Sequence, residues 1–336
     1  MAVFKIDHAG PLVTIQDQGR SGFMRYGVTP AGPMDRLGFA LGHYALAQPP
    51  RAAIEISMGG LNLTCIEGAV TASVTGGSFT VILDGKTLPP WSVFEITQGS
   101  KLQIRPGNWG SWCYLSFAGA LDVPNWLNSA STHLGSDLCG APLTAGDTLT
   151  INEARVMDGI SGEIIDPTPL KPAKIIRVIM GPQDRFFCAQ SITNFSSQDF
   201  TLTTEYNRQG VRLKGPKLDI TQSLDMPSEP IARGSLQVPG HGDPICLLAD
   251  HQTTGGYPKI ATVISADQDK LAQMRSGDVV RFRIVDVETA TLAAHNAQTD
   301  LAKIHQQIDA RRQSLDQKLW NSNLVSGAID DSGDQE

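Results

Sequence analysis

The chain has 336 residues, 41% hydrophobic and 18% charged, with a formal net charge of −7. That length and apolar content suit about two domains with sizeable cores and exclude a wholly disordered chain. The acidic balance excludes the basic footprint that nucleic acid or an anionic membrane surface requires. Its five cysteines, Cys65, Cys113, Cys139, Cys188 and Cys246, stand singly and indicate neither a disulfide framework nor a zinc site.

In chain order, the opening MAVFKIDHAG lacks a signal peptide's apolar core, and no apolar run reaches the roughly 20 residues of a membrane span. A cytoplasmic protein is expected. Residues 16–35, QDQGRSGFMRYGVTPAGPMD, form a glycine-rich loop carrying Arg20 and Arg25. The loop feeds a predicted helix, MDRLGFALGHYALA, with Met34, Leu37, Leu41 and Tyr44 on one face at helical spacing. Gly38 and Gly42 allow a neighbour to pack close to it. Short strands follow: LNLTC, VTASVT, FTVIL, VFEIT and KLQIRP, separated by EG, GGS, DGK and QGS. Asp84-Gly85 between apolar runs is hairpin chemistry. Closely spaced short strands point to a barrel or sandwich rather than a parallel sheet with crossover helices.

Residues 165–174, IDPTPLKPAK, read as a linker. The strand pattern then resumes with IIRVIM, FTLTTEY, GVRL, PICLLAD, IATVIS and VVRFRIV. Short helices are expected to start at Asp184 and Asp267. From Glu288 to Leu315 the period changes, and Leu301, Ile304, Ile308 and Leu315 mark the apolar face of a long helix packed across a barrel. The last residues, 321–336, read as a disordered acidic tail.

Familiar catalytic motifs are absent. There is no GxxxxGK[ST] phosphate loop and no HExxH, and GRSGF fails the nucleophile elbow because Phe23 takes the last glycine position. The seven histidines are scattered, and no metal site is expected. A biotin carrier's Met-Lys-Met is also missing, so any biotin would arrive on another chain. Two segments carry chemistry. In the first, Arg20 is a planar fork suited to carboxylate or phosphate, ahead of a helix N-terminus with its own anion affinity. The second is DHQTTGGYPKIA, residues 250–261. Gln252, Thr253 and Thr254 offer polar side chains, and Gly255 and Gly256 offer close-approaching amides. Lys259 adds positive charge, and Tyr257 adds an apolar face with a donor. A plain hairpin turn between PICLLAD and KIATVIS explains the glycines but not the Gln-Thr-Thr before them.

Taken together, these segments resemble the biotin-dependent carboxyltransferase-like family. Its opening D-x-G-R-x-G…G-V-x-x-x-G-x-M-D is matched by Asp17, Gly19, Arg20, Gly22, Gly27, Val28, Gly32, Met34 and Asp35. The matches continue in order through AAIEISMGG with Glu55, FAGALDVPNWLNSASTHLG, LTAGDTL, GPQDRFF, NRQGVRLKGPKL, SEPIARGSLQVPGHGDPICLLADHQTTGGYPKIA and LAQMRSGDVVRF. The resemblance covers nearly all of residues 3–285. Departures fall at Ala118 and Ala120, where Gly-Gly-Ile is usual, at Ala130, a site often held by arginine, and in HLGSDLCGAPL, which lacks GGxxGR.

The resemblance implies a mainly β fold: two cyclophilin-like β-barrel domains with a few short helices and a long C-terminal helix. The domains are placed at 1–165 and 172–285, the helix at 286–320 and the tail at 321–336. It implies a related smaller cyclophilin-like subunit as partner and, in 5-oxoprolinase, a further subunit. That assembly opens 5-oxo-L-proline to L-glutamate with ATP hydrolysis, the ATP being held by the complex. In that reaction Arg20, Arg208 or Arg233 would clamp the substrate carboxylate. Gly255, Gly256 and Lys259 would face phosphate or oxyanion, and Gln252, Thr253 and Tyr257 would orient substrate or water. Asp35, Gln237 and Thr254 join the expected substrate-binding set. The alternatives are a biotin-dependent carboxyltransferase component acting on a urea-like acceptor, or a non-enzymatic antagonist of a related small subunit.

Overall fold

The structure is a computed structural model and describes residues 1–136, 138–221 and 226–312. The fold is mainly β. Ten strands of the first half form one curved sheet, a half-barrel. Its spine is a pair of long antiparallel strands, Leu61–Leu83 and Lys101–Phe117. On one side of the spine lie Ala53–Ile56 and Thr14–Gln16, and on the other Ala2–Ala9, Thr148–Asn152 and Ala120–Leu121. Period-two alternation sets the faces: in the first strand Ala2, Phe4 and Ile6 are fully buried while Lys5 and Asp7 face solvent.

The sequence reading breaks the spine into LNLTC, VTASVT and FTVIL, but the chain runs as one strand. Gly68 and Gly76 adopt positive φ of 77° and 104° inside it and bend the strand without ending it. At Asp84-Gly85, φ of 50° and 80° makes the expected tight hairpin, with Leu83 paired to Lys86.

The second half closes into a barrel of seven strands: Ile175–Met180, Lys259–Val263, Ser235–Gln237, Ile245–Leu247, Gly210–Lys214, Phe200–Tyr206 and Val279–Ile284. The closing pair, Ile175–Met180 with Val279–Ile284, is parallel. Phe195, Phe200 and Phe282 meet in its core, the Phe195 and Phe282 rings stacking at 4.9 Å. Ile245–Leu247 and Lys259–Val263 do not form a hairpin. Both pair with Ser235–Gln237, so residues 248–258 cross over between them.

Helix α1, Arg36–Ala45, lies directly on the long strand. A Cβ on Gly42 would come 2.7 Å from Thr75 Oγ1, and Ser73 and Thr75 donate to the carbonyls of Gly42 and Gly38 at 2.9 and 2.7 Å. Helix α2, Ala189–Ser197, begins after a short turn of 3₁₀ helix at Asp184–Phe186, and α3 spans Ser265–Gln273. Helix α4, Val287–Arg312, packs Leu301, Ile304 and Ile308 against the first core. The expected continuation to Leu315 and the acidic tail fall outside the described residues. No helix among the described residues is long and apolar enough to cross a membrane.

The halves interlock. Met34 and Trp112, from the first half of the chain, belong to the second core. Gln273 of α3 accepts from the amides of Ser111 and Trp112 at 2.9 and 3.1 Å. Arg275 donates to Gly110 O and Gly107 O, each at 2.9 Å.

Candidate functional site

Between the two cores lies a buried charge network. Arg208, 1% exposed, ion-pairs with Glu55 from the half-barrel and, at 2.8 Å, with Asp250 from its own barrel. A third bond runs to Gly32 O at 2.7 Å. Glu55 also accepts from Met34 N at 2.7 Å and Tyr114 Oη at 2.8 Å. Burial works against the Arg208 charge, but Asp250 and Glu55 outweigh it and hold the guanidinium protonated. For Glu55, burial pushes the carboxyl up against the pull of Arg208.

Asp35 caps α1, accepting from Gly38 N at 2.8 Å, and takes a second bond from Gln273 Nε2 at 2.6 Å. Burial and then the nearby Asp269 charge raise its pKa to about 7. Arg233 donates to Pro33 O and Met34 O. Three of the expected substrate-binding residues, Asp35, Arg208 and Arg233, therefore hold residues 32–35 between the two cores, each with internal partners.

The DHQTTGGYPKIA segment runs from the buried Asp250 and His251 through a turn into the barrel strand Lys259–Val263. Thr254–Gly255 pairs with Glu229–Pro230 as a small two-stranded sheet, and Ile231 N donates to Thr253 O at 3.1 Å. Beneath it lies a polar layer. Lys259 Nζ is 3.2 Å from Glu229 Oε2, which also accepts from Gln183 Nε2 at 2.6 Å. Gln252 Nε2 donates to Gln237 Oε1 at 3.2 Å. Gln237 is 2% exposed, and its Nε2 donor has no partner. That donor is at Gly255: a Cβ there would come within 2.6 Å of it. Tyr257 stands 46% exposed at the turn. Thus Gln237, Gln252, Gly255 and Lys259 share one layer, with Thr253, Thr254, Gly256 and Tyr257 on the turn above.

Sequence reading missed Gln183 and Glu229. In the structure the GPQD run packs on the Lys259 strand, where a Cβ on Gly181 would meet Lys259 O at 2.1 Å.

Arg20 belongs to neither cluster. It is fully buried in the half-barrel, where Nη2 donates to Ser131 O and lies 2.9 Å from Cys139 Sγ. No hydrogen bond or ion pair joins it to the Lys259 layer among the described residues.

The family described as carboxyltransferase domain, subdomain A and B, matches residues 26–284. The chain is 34% identical over 302 residues to the C subunit of the Haemophilus influenzae 5-oxoprolinase, covering 89% of this chain and 96% of that protein. To the corresponding Escherichia coli 5-oxoprolinase chain it is 32% identical, covering 88% and 96%. The solved urea amidolyase of K. lactis superposes with a TM-score of 0.80 at 25% identity, over 90% of this chain and 20% of that one.

Proposed function

The chain belongs to the carboxyltransferase domain A and B family, and we propose that it serves as the C subunit of an ATP-dependent 5-oxoprolinase. In this reading it opens 5-oxo-L-proline to L-glutamate only together with partner subunits, one of them a related smaller cyclophilin-like chain. The observation that carries the reading is the unpartnered Gln237 donor, buried beside Lys259 and Gly255. A buried amide donor without an acceptor costs free energy unless a ligand supplies one. The carbonyl oxygen of a lactam is such an acceptor. Gln237 Nε2 and the Lys259 ammonium would both donate to it and stabilise the negative charge that develops as the ring opens. Glu229 and Gln183 hold the ammonium in place, and Gln252 fixes the orientation of the Gln237 amide.

The residues of this layer do not fit a triphosphate. Its cation, Lys259, is matched by Glu229, and Arg208, in the separate network between the cores, is matched by Glu55 and Asp250. In this reading the nucleotide is held by the assembled complex, outside this layer. A second reading, transfer of a carboxyl group from carboxybiotin to a urea-like acceptor, draws on the superposition over 90% of the chain with the K. lactis urea amidolyase. The same two donors would then face the acceptor's carbonyl.

The deciding experiment measures glutamate release from 5-oxo-L-proline plus ATP, by this chain alone and mixed with its partner subunits. Release is expected only from the complete mixture, with Lys259→Met lowering kcat/KM by about 100-fold. Undiminished release with Lys259→Met removes the layer from the site. No release from any mixture, with avidin-sensitive urea carboxylation instead, favours the second reading. Tight binding to the small partner without turnover of either substrate favours a regulator.

A further inference from the structure

Arg20 carries a buried charge that nothing in the described residues neutralises. The side chain is fully buried, Nη2 is engaged with Ser131 O and Cys139 Sγ, and Nε and Nη1 have no partner. The neighbouring acid, Asp17, turns its carboxylate to other donors. Ser129 Oγ, Ser131 Oγ and Ala130 N donate at 2.6 Å and Gly19 N at 2.9 Å. A guanidinium keeps its proton in a protein, and a buried, unpaired cation is among the costliest groups to retain. No acid among the described residues supplies the missing negative charge.

The surroundings are built to admit one. The Arg20 Cζ lies 5.8 Å from the centre of the Trp126 ring, and Trp126 is 42% exposed. Trp126 is held over the arginine by a tight turn. Its amide and carbonyl exchange bonds with those of Ser129 at 2.9 and 3.2 Å, and Leu127 and Asn128 adopt φ of 51° and 60°. Beside this turn opens a cleft of about 370 Å³, bordered by Gly19, Ala130, Asn125 and Asn128, by the Asp17 carboxylate and by Arg51, which pairs with Glu153, while Arg20 itself lies behind the lining. We propose that Arg20 is the floor of a binding site for a small oxyanion, a carboxylate, bicarbonate or phosphate group. The anion enters through this cleft and accepts from Nε and Nη1 under the Trp126 indole. The site is independent of the Lys259–Gln237 layer and does not rest on its assignment.

The test is isothermal titration calorimetry of the full chain with inorganic phosphate, sodium bicarbonate and sodium acetate, ionic strength held constant with sodium chloride. At least one of the three is expected to bind with 1:1 stoichiometry. Arg20→Met should weaken that binding about tenfold or more, and Lys259→Met should leave it unchanged. Phosphate alone would mark a phosphoryl ligand, and bicarbonate or acetate alone a carboxylate-type one. If Arg20→Met does not fold, the native chain is titrated by fluorescence against the surface variant Trp126→Phe. An anion-induced change carried by Trp126 supports the site. Absence of binding up to tens of millimolar, binding retained in a folded Arg20→Met chain, or a fluorescence change that survives Trp126→Phe would each overturn it.

Discussion

A single hydrogen atom on Gly255 separates the polar layer from a blocked one. A methyl group in its place would meet Gln237 Nε2 at 2.6 Å and Ile231 Cδ1 at 2.5 Å, both the ends of side chains that can move. Gly255→Ala should therefore fold with a melting temperature close to the parent's while the assembled complex loses activity by about tenfold or more, because the displaced atom is the proposed donor. Thermal unfolding and turnover measured on the same preparation separate the two effects. Full activity in a folded Gly255→Ala chain would show that the Gln237 amide does not touch substrate. The Gln-Thr-Thr-Gly-Gly-Tyr-Pro-Lys run was conspicuous in the sequence because its polar residues exceed what a turn needs. Glu229 and Gln183 were not, since a lone acid or amide in a loop carries no periodic mark. They become legible only when Thr254–Gly255 pairs with Glu229–Pro230.

At the scale of an element, α1 begins on a titrating cap. The Asp35 carboxyl, raised from 3.8 to about 7 by burial and by Asp269, keeps a proton in the folded protein that the unfolded chain releases. Stability from this group is complete below pH ~4 and is lost as pH rises through about 7. The groups around it are Asp269, Arg233, Gln273 and Tyr114. His43 and His251, which burial holds below the ordinary histidine value of 6.5, act with the opposite sign below that pH, inside the same window. The measurement is accordingly a difference: urea unfolding of the parent and of Asp269→Asn from pH 5 to 8. Removing the Asp269 charge should lower the Asp35 value and flatten the decline. Parallel pH profiles for the two proteins would rule the coupling out. The helix itself was visible at the spacing of Leu37, Leu41 and Tyr44, as was its close-packed Gly38 and Gly42 face, but Met34, read on the same face, precedes the helix and packs in the second core. The long strand beneath it was not, because glycine in a sequence signals a turn equally with a bend inside a continuing strand.

Across the whole molecule, Arg208 ties the half-barrel to the barrel. Its two carboxylates come from different halves, Glu55 from one and Asp250 from the other. Arg208→Met leaves both acids buried without their cation and should cost about 3–5 kcal/mol of unfolding free energy. Restoring balance with Glu55→Gln and Asp250→Asn in the same chain should recover part of that loss, and urea titrations of the series measure it. A loss under about 1 kcal/mol for Arg208→Met alone would mean that packing of Met34 and Trp112, not charge, joins the cores.

What the sequence by itself determined follows from short-range physics. Alternating apolar residues set the strand faces, Asp84-Gly85 set a hairpin, and the 3.6-residue period marked α1 and the core-facing stripe of α4. The ordered motifs from Asp17 to the LAQMRSGDVVRF run pointed to the family. Tertiary structure alone decided which polar residues meet. Arg20, Arg208 and Arg233 look alike as possible carboxylate clamps in a sequence, yet one is saturated by two acids, one grips the backbone of residues 33 and 34 with Asp269 3.7 Å away, and one has no acid partner among the described residues. The difference lies in partners more than a hundred residues away along the chain for Arg20–Ser131, Arg208–Glu55 and Arg233–Pro33. The charge on a guanidinium is fixed by its chemistry, but whether that charge is already balanced depends on contacts that only folding brings together.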